Sequence, residues 1–467
     1  MGHPAADVPS LRASRRRLAI VAGIGLILAG GGATAWLVHH HPVPPPSTEP
    51  PSPPAPCTGT GPTLAGVWDP AIQRKVHAAF IATNKPYAEP ASASVIKALD
   101  AYFAEWTTAT VENCNATPLR GGHSAQAEAI RQLCLDQRFE EARTLAEMLQ
   151  DPTAALVSQA DTAVWALDPV AACAHAAAIV LPAIEPRYRA DYRRLLLETA
   201  AAHAQAVGGQ LVAAEGALMH AADEGRRIHA DDLVALALHG RAAVLFGQAR
   251  FDQAYRIAGE AVWTALLAHR DDLVIGAALT VASARAEAAG HLDVADAWVD
   301  LANAAAARTG GFAPMFDERR LELIGVIAAQ RGDLRTAVAS HTQALAAAQR
   351  LWGRDNPEVW SAEVQLATTL ASAGAWVEAL PHYEHALQLR EASVGPDHPD
   401  VALILSNLAG CYDHAGDTAK ALAAVKRALQ IREKTYGPKS PLLVATLDNL
   451  ADFELRHHEL APALADI

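Results

Sequence analysis

The chain has 467 residues, 51% of them hydrophobic, 19% charged and 5% aromatic. That length suggests two to three domains, and so low a charged fraction argues against disorder as the main state. Thirty-eight basic against 51 acidic residues leave a net charge of −13, which excludes nucleic acid as a natural partner because phosphate binding needs a basic face.

Residues 18–38, LAIVAGIGLILAGGGATAWLV, carry no charge over 21 positions. At ~1.5 Å per residue this run reaches roughly 30 Å, enough to cross a bilayer core. We read it as a transmembrane helix. The competing reading is a cleavable signal peptide, with Ala33-Thr34-Ala35 as the cleavage site and Ser14-Arg15-Arg16-Arg17 loosely similar to a twin-arginine signal. Arg12, Arg15, Arg16 and Arg17 precede the run, and no Lys or Arg follows until Arg74. The positive-inside rule then places residues 1–17 in the cytoplasm and the bulk outside, as a single-pass, extracytoplasmic (periplasmic) protein. Residues 39–56 form a linker, with nine prolines between 42 and 56, a polyproline-like spacer that holds the folded part off the membrane. His39, His40 and His41 read as a solvated run rather than a metal site.

From 57 to 189 the periodicity is helical, without strand alternation. Asp69-Pro70, Asp151-Pro152 and Asp168-Pro169 read as three helix starts, since Asp caps orphan amides and Pro has none to lose. Trp68, Trp106 and Trp165 read as core. Cys57, Cys114, Cys134 and Cys173 suggest two disulfides on the oxidising side of a membrane. Four cysteines allow three pairings. The turn-rich NATPLRGGH between Cys114 and Cys134 favours joining those two, which leaves Cys57 with Cys173. There is no CxxC pair, so neither zinc nor thioredoxin-like chemistry is expected. Cys411 reads as a small buried residue.

The motifs CTGTGPTLAGVWD, AAFIATNKPYA, LDAYFAEW, NCNATPLRGGHS and LCLDQRFEEARTL resemble the extracytoplasmic region of large bacterial membrane-anchored serine/threonine protein kinases. In that family a kinase domain precedes one membrane span, this cysteine-bearing region and a repeat array. The resemblance covers roughly residues 15–467. Only 17 residues stand before the apolar run here, so no kinase domain is expected.

Residues 190–467 read as a repeat array. Pro357, Pro399 and Pro441 recur every 42 residues, as do Ala367, Ala409 and Ala451, and Ala379, Ala421 and Ala463. Gly290, Gly332, Gly374 and Gly416 keep the same step, which drifts to 41 and 40 through Ala254 and Ala214. The period implies about six stacked helix pairs and a truncated seventh, with Ala367 facing Ala379 at a close approach. It resembles the tetratricopeptide repeat in the longer form of kinesin light chains, whose linker is similar to GPDHPDVA at 395–402. The fold expected is therefore all-α: a transmembrane helix, a Pro-rich linker, a small helical domain and a tetratricopeptide-type α-solenoid.

Catalytic patterns are absent. His269-Arg270-Asp271 spells a kinase triplet, but Gly276 stands where the Asn is required, and HRDDLV matches the repeat linker HADDLV at 229. No Walker or HExxH motif occurs. His398 and His457-His458-Glu459 read as linker and turn. No cofactor, no metal and no enzyme activity are expected. What remains is a groove for a protein or peptide. Repeat register puts Val364, Gln365, Thr368, Ser406, Asn407, Asp413, Asp448, Asn449 and Asp452 along it, and the carboxylates favour a basic ligand. The functional expectation is a membrane-anchored scaffold or sensor module without catalysis. The alternative is the sensory half of a serine/threonine kinase receptor, with the kinase partner encoded separately or lost.

Overall fold

The computed structural model of the chain describes residues 64–116, 124–178, 184–288, 291–309, 311 and 314–456. The apolar run at 18–38, the proline-rich spacer, Cys57 and His457-His458-Glu459 lie outside the described residues. Seventeen α-helices and no strand occur among those described, and none of these helices is long and apolar enough to cross a membrane.

Four helices come first: α1 (Pro70–Ala82), α2 (Ala88–Asn115), α3 (Ala125–Met148) and α4 (Ala154–Trp165). Asp69 caps α1 by accepting from the amides of Ala71 and Ile72, with Pro70 in the first turn. The other two Asp-Pro pairs behave differently. Thr153, not Asp151, caps α4, because its hydroxyl reaches the Leu156 amide at 3.1 Å. Asp168-Pro169 opens a 3-10 turn (Val170–Ala178) rather than an α-helix, and the Asp168 carboxylate is held by Arg138. Trp68 and Trp106 are buried, as expected; Trp165 is half-buried and meets Trp352 edge-on at 5.6 Å.

The expected disulfides are overturned. Cys134 is bonded to Cys173, with Cα atoms 5.6 Å apart, which excludes both Cys114–Cys134 and Cys57–Cys173. The reason is helix length. Cys134 lies nine residues into α3, roughly 14 Å along it, and so far from the loop that follows Cys114. There it faces the 3-10 turn, where Cys173 packs with Trp106, Leu135 and Val170. Cys114 is itself disulfide-bonded. Cys411 is free and buried, and burial pushes its thiol up to about 11, which leaves it a packing residue rather than a nucleophile.

Six helix pairs follow: α5 (Arg189–Val207) with α6 (Leu211–Arg227), α7 (Asp231–Gly247) with α8 (Phe251–Leu267), α9 (Asp271–Glu287) with α10 (Leu292–Arg308), α11 (Pro314–Arg331) with α12 (Leu334–Trp352), α13 (Trp360–Ser372) with α14 (Trp376–Val394), and α15 (Pro399–His414) with α16 (Thr418–Tyr436). A last first-helix, α17 (Val444–Arg456), stands after them. Gly332, Gly374 and Gly416 turn one helix into the next at φ of +81°, +82° and +84°, a region that other residues enter only with strain. Ala367, Ala379, Tyr383 and Ala386 are buried between α13 and α14. Successive first helices touch (α5 with α7, α7 with α9, α9 with α11, α13 with α15), whereas successive second helices do so more sparsely. The tighter spacing lies on the inside of a curve, so the first helices line the inner face.

Candidate binding groove

Polar side chains sit between successive first helices, several of them at one register position. His239, Thr280, Glu322, Val364, Ser406 and Asp448 follow one another at steps of 41 and then 42. His239 and Thr280 meet across consecutive first helices, and Arg319, one turn before Glu322 on the next, joins them. His239 Nε2 lies 3.3 Å from Thr280 Oγ1, and Arg319 Nη2 donates to the same oxygen at 3.1 Å. His239 and Thr280 are fully enclosed, and Gly276 leaves the space that the His239 ring fills: a Cβ there would fall 2.8 Å from its Cε1. Burial, with Arg319 and His203 adding to it, pushes His239 down to about 3, so the imidazole is neutral at pH 7.

Further along, Glu318 and Glu322 of α11 and Gln365 of α13 line a small recess of about 10 Å³, room for no more than one water, together with His341, Ala344, Ser361 and Ala362. Burial, and then the like charge of Glu322, push Glu318 up to about 8. Burial also raises Glu322, against the opposing pull of Arg319. His341 is fixed by Thr369 at 2.7 Å and by the Glu322 carbonyl at 3.2 Å. These groups form an inner surface with hydrogen-bonding and charged atoms close together in a poorly solvated place. The Thr280 and Thr369 hydroxyls that stand beside the His239 and His341 rings are buried between helices.

The residues expected in the groove divide. Gln365 lines the recess. Asn407 and Asn449 are half-buried and Asp448 is exposed. Val364 is buried in the core of its pair and does not reach the groove. Thr368 points at the neighbouring helix, its hydroxyl 2.8 Å from that of Tyr383. Ser406 donates back to the Ala402 carbonyl at 2.8 Å. Asp413 and Asp452 are both engaged by Arg456. The sequence reading missed His239, Thr280 and Glu322 because it stepped the polar register only through the last three repeats; the same register carried back would have found all three.

His398 does not sit in an open linker. It is buried, caps α15 through the Asp400 amide, and meets Ser158. The triplet at 269–271 is a linker as expected: Arg270 pairs with Asp272 and Asp271 with Arg308. One trio with metal-type donors occurs among the described residues, Glu141, Asp168 and His203, with ligand atoms within 4.8 Å of one another. Arg138 lies against both carboxylates and already supplies the positive charge there, so the donor set does not suit a cation.

Residues 358–434 and 401–465 match the family model for the tetratricopeptide repeat. The chain carries tetratricopeptide repeats. Among solved structures, this repeat chain is similar to BtubC (BKLC) from P. vanneervenii, at 24% identity over 49% of this chain and 94% of that one, with a TM-score of 0.42. It is similar to a putative kinesin light chain from Podosopora anserina with nearly identical TPR-like repeats, at 17% identity over 40% and 89%, TM-score 0.37. It is also similar to the apo form of RapI, at 14% identity over 58% and 74%, TM-score 0.48. No curated protein sequence matches the chain.

Proposed function

We propose that this tetratricopeptide-repeat protein is a non-catalytic scaffold or sensor module that holds a protein or peptide segment against its inner face. The observation that carries the reading is the row of half-buried amides Gln365, Asn407 and Asn449, which recurs at steps of 42 along the side where the first helices converge. An amide side chain both donates and accepts, so such a row can bond to the backbone of an extended segment. Asp448, exposed on α17, favours a ligand with basic side chains. In this reading residues 18–38 anchor the chain in a membrane, 39–56 space it, 57–189 form a cysteine-bearing helical domain and 190–467 the binding array, all beyond residue 38 lying outside the cytoplasm.

A second reading rests on the motifs between CTGTGPTLAGVWD and LCLDQRFEEARTL, which resemble the extracytoplasmic part of receptor kinases. There the chain is the sensory half of a serine/threonine kinase system and acts through a kinase partner.

The test is affinity capture by the chain displayed on cells, compared among wild type, Gln365→Ala with Asn407→Ala and Asn449→Ala, and Lys420→Ala on α16 as control. The inner-face variant is expected to lose its specific partners and keep its melting temperature. Capture that is unchanged in that variant would overturn the groove reading; a kinase among the captured proteins would favour the second one.

A further inference from the structure

The first four helices meet the repeats twice, and the two contacts differ in chemistry. Near in sequence, the contact is mainly apolar, with Arg193 paired to Asp136 and His203 beside Glu141. Ala204 and Val207 of α5 join the cluster of Phe80, Leu99, Phe103, Leu145 and Leu149. Beside it, Leu133 joins Tyr192, Leu195 and Leu233.

The far contact reaches sequence separations of 229 to 350 residues, and its enclosed groups are mostly charged or hydrogen-bonding; among the described residues its apolar part is limited to Trp165 meeting Trp352 edge-on and Pro90 lying against Gly395. Arg390 of α14, wholly enclosed, pairs with Asp161 of α4 and with Asp400, and its guanidinium lies 4.7 Å over the Trp360 ring. His398 Nε2 is 3.0 Å from the Ser158 carbonyl, and its ring meets the edge of Tyr87 at 4.8 Å. Lys85 donates to the Thr435 carbonyl at 3.0 Å. Among the described residues, no buried apolar cluster contains side chains from both α1–α4 and the last three helix pairs. Three buried atoms at or beside this contact, Arg390 Nε, Glu358 Oε1 and Thr435 Oγ1, have no hydrogen-bond partner.

A contact of this kind is nearly balanced. Removing two charges from water costs about what their attraction returns, and unsatisfied atoms add to the cost. On separation the charges recover water. Apolar surface recovers nothing, so the near contact holds.

We propose that the far contact is a reversible clasp. Closed, it seats α1–α4 on the last helix pairs and joins the two ends of the array around the polar inner face. Open, it frees one side of that face while the near contact keeps α1–α4 attached to α5. Its role in admitting a partner rests on the groove reading above; its reversibility does not.

The test is a distance measurement on the full chain, in a Cys411→Ser background. Spin labels at Glu89→Cys and Lys439→Cys span the far contact; labels at Glu147→Cys and Gln210→Cys span the near one. Wild type is expected to show a short and a long distance for the first pair. Asp161→Asn, which leaves Arg390 enclosed with Asp400 alone, is expected to move the population towards the long one by about tenfold. The second pair should stay at one short distance throughout. If Asp161→Asn does not fold, Lys85→Ala repeats the test from the rim. A single short distance for the first pair in wild type and in the folded variant would overturn the clasp. Loss of the groove reading would show instead as unchanged partner capture, with the distances still bimodal.

Discussion

The N-terminal helices and the repeat array are both helical, but they are packed on different terms. The first is built around large aromatic side chains: Trp106 lies 4.6 Å from Phe139, Phe103 contacts Trp68, Tyr102 and Phe139, and a disulfide ties α3 to the turn after α4. The array is packed by alanine. Ala214, Ala254, Ala295, Ala337, Ala379 and Ala421 are all wholly enclosed at one register position of the second helices. Large rings fill one irregular space once. Small residues at a fixed spacing let backbones approach in the same way at every step, which is why a single pattern can be stacked six times. The first arrangement should fail when a side chain is removed, the second when one is enlarged.

The largest effect is expected at Trp106, whose Nε1 donates to the Leu135 carbonyl at 2.8 Å. Trp106→Ala should cost about 3–5 kcal/mol in urea unfolding, from lost contacts and an unfilled cavity. An effect below that range would mean that the aromatic packing is loose and that the contrast with the array is overstated. Next is Ala379→Leu, which enlarges an enclosed residue and should cost about 1–3 kcal/mol, while Ala379→Gly should cost less. Equal losses from both would show that propensity rather than close approach governs the position.

The smallest effect concerns pH. His239 is held below its ordinary value by burial, so its contribution is intact above about 6.5 and is lost as pH falls towards 3. Glu318 works in the opposite direction, because an acid raised to about 8 favours the folded state as it takes up a proton. Comparing wild type with His239→Gln by urea unfolding at pH 7 and pH 4.5 isolates the first term. Wild type should lose up to about 2 kcal/mol more than the variant over that interval. Parallel losses would mean that the inner face is wetter than its geometry indicates.

Much of the array was legible from the sequence because its information is periodic. Ala367, Ala379, Tyr383 and Gly374 occupy the places that the 42-residue step assigns them, and the step is the length of two helices and their two connections. The candidate site was legible only in part. Register said which positions face inward, but not that Thr368 would turn to Tyr383 or that Arg456 would take Asp413 and Asp452, since those depend on rotamers and on the next helix.

The sequence by itself determined the helical class, the period of the stack and the positions of its turns, because each follows from spacing along one chain. The tertiary structure decided which cysteine meets Cys134, and that Asp161, Ser158 and Lys85 would find Arg390, His398 and Thr435 across more than two hundred residues. Those pairings depend on the summed curvature of six helix pairs. A small angle at each step sets where the array ends, and no single repeat carries that angle in its sequence.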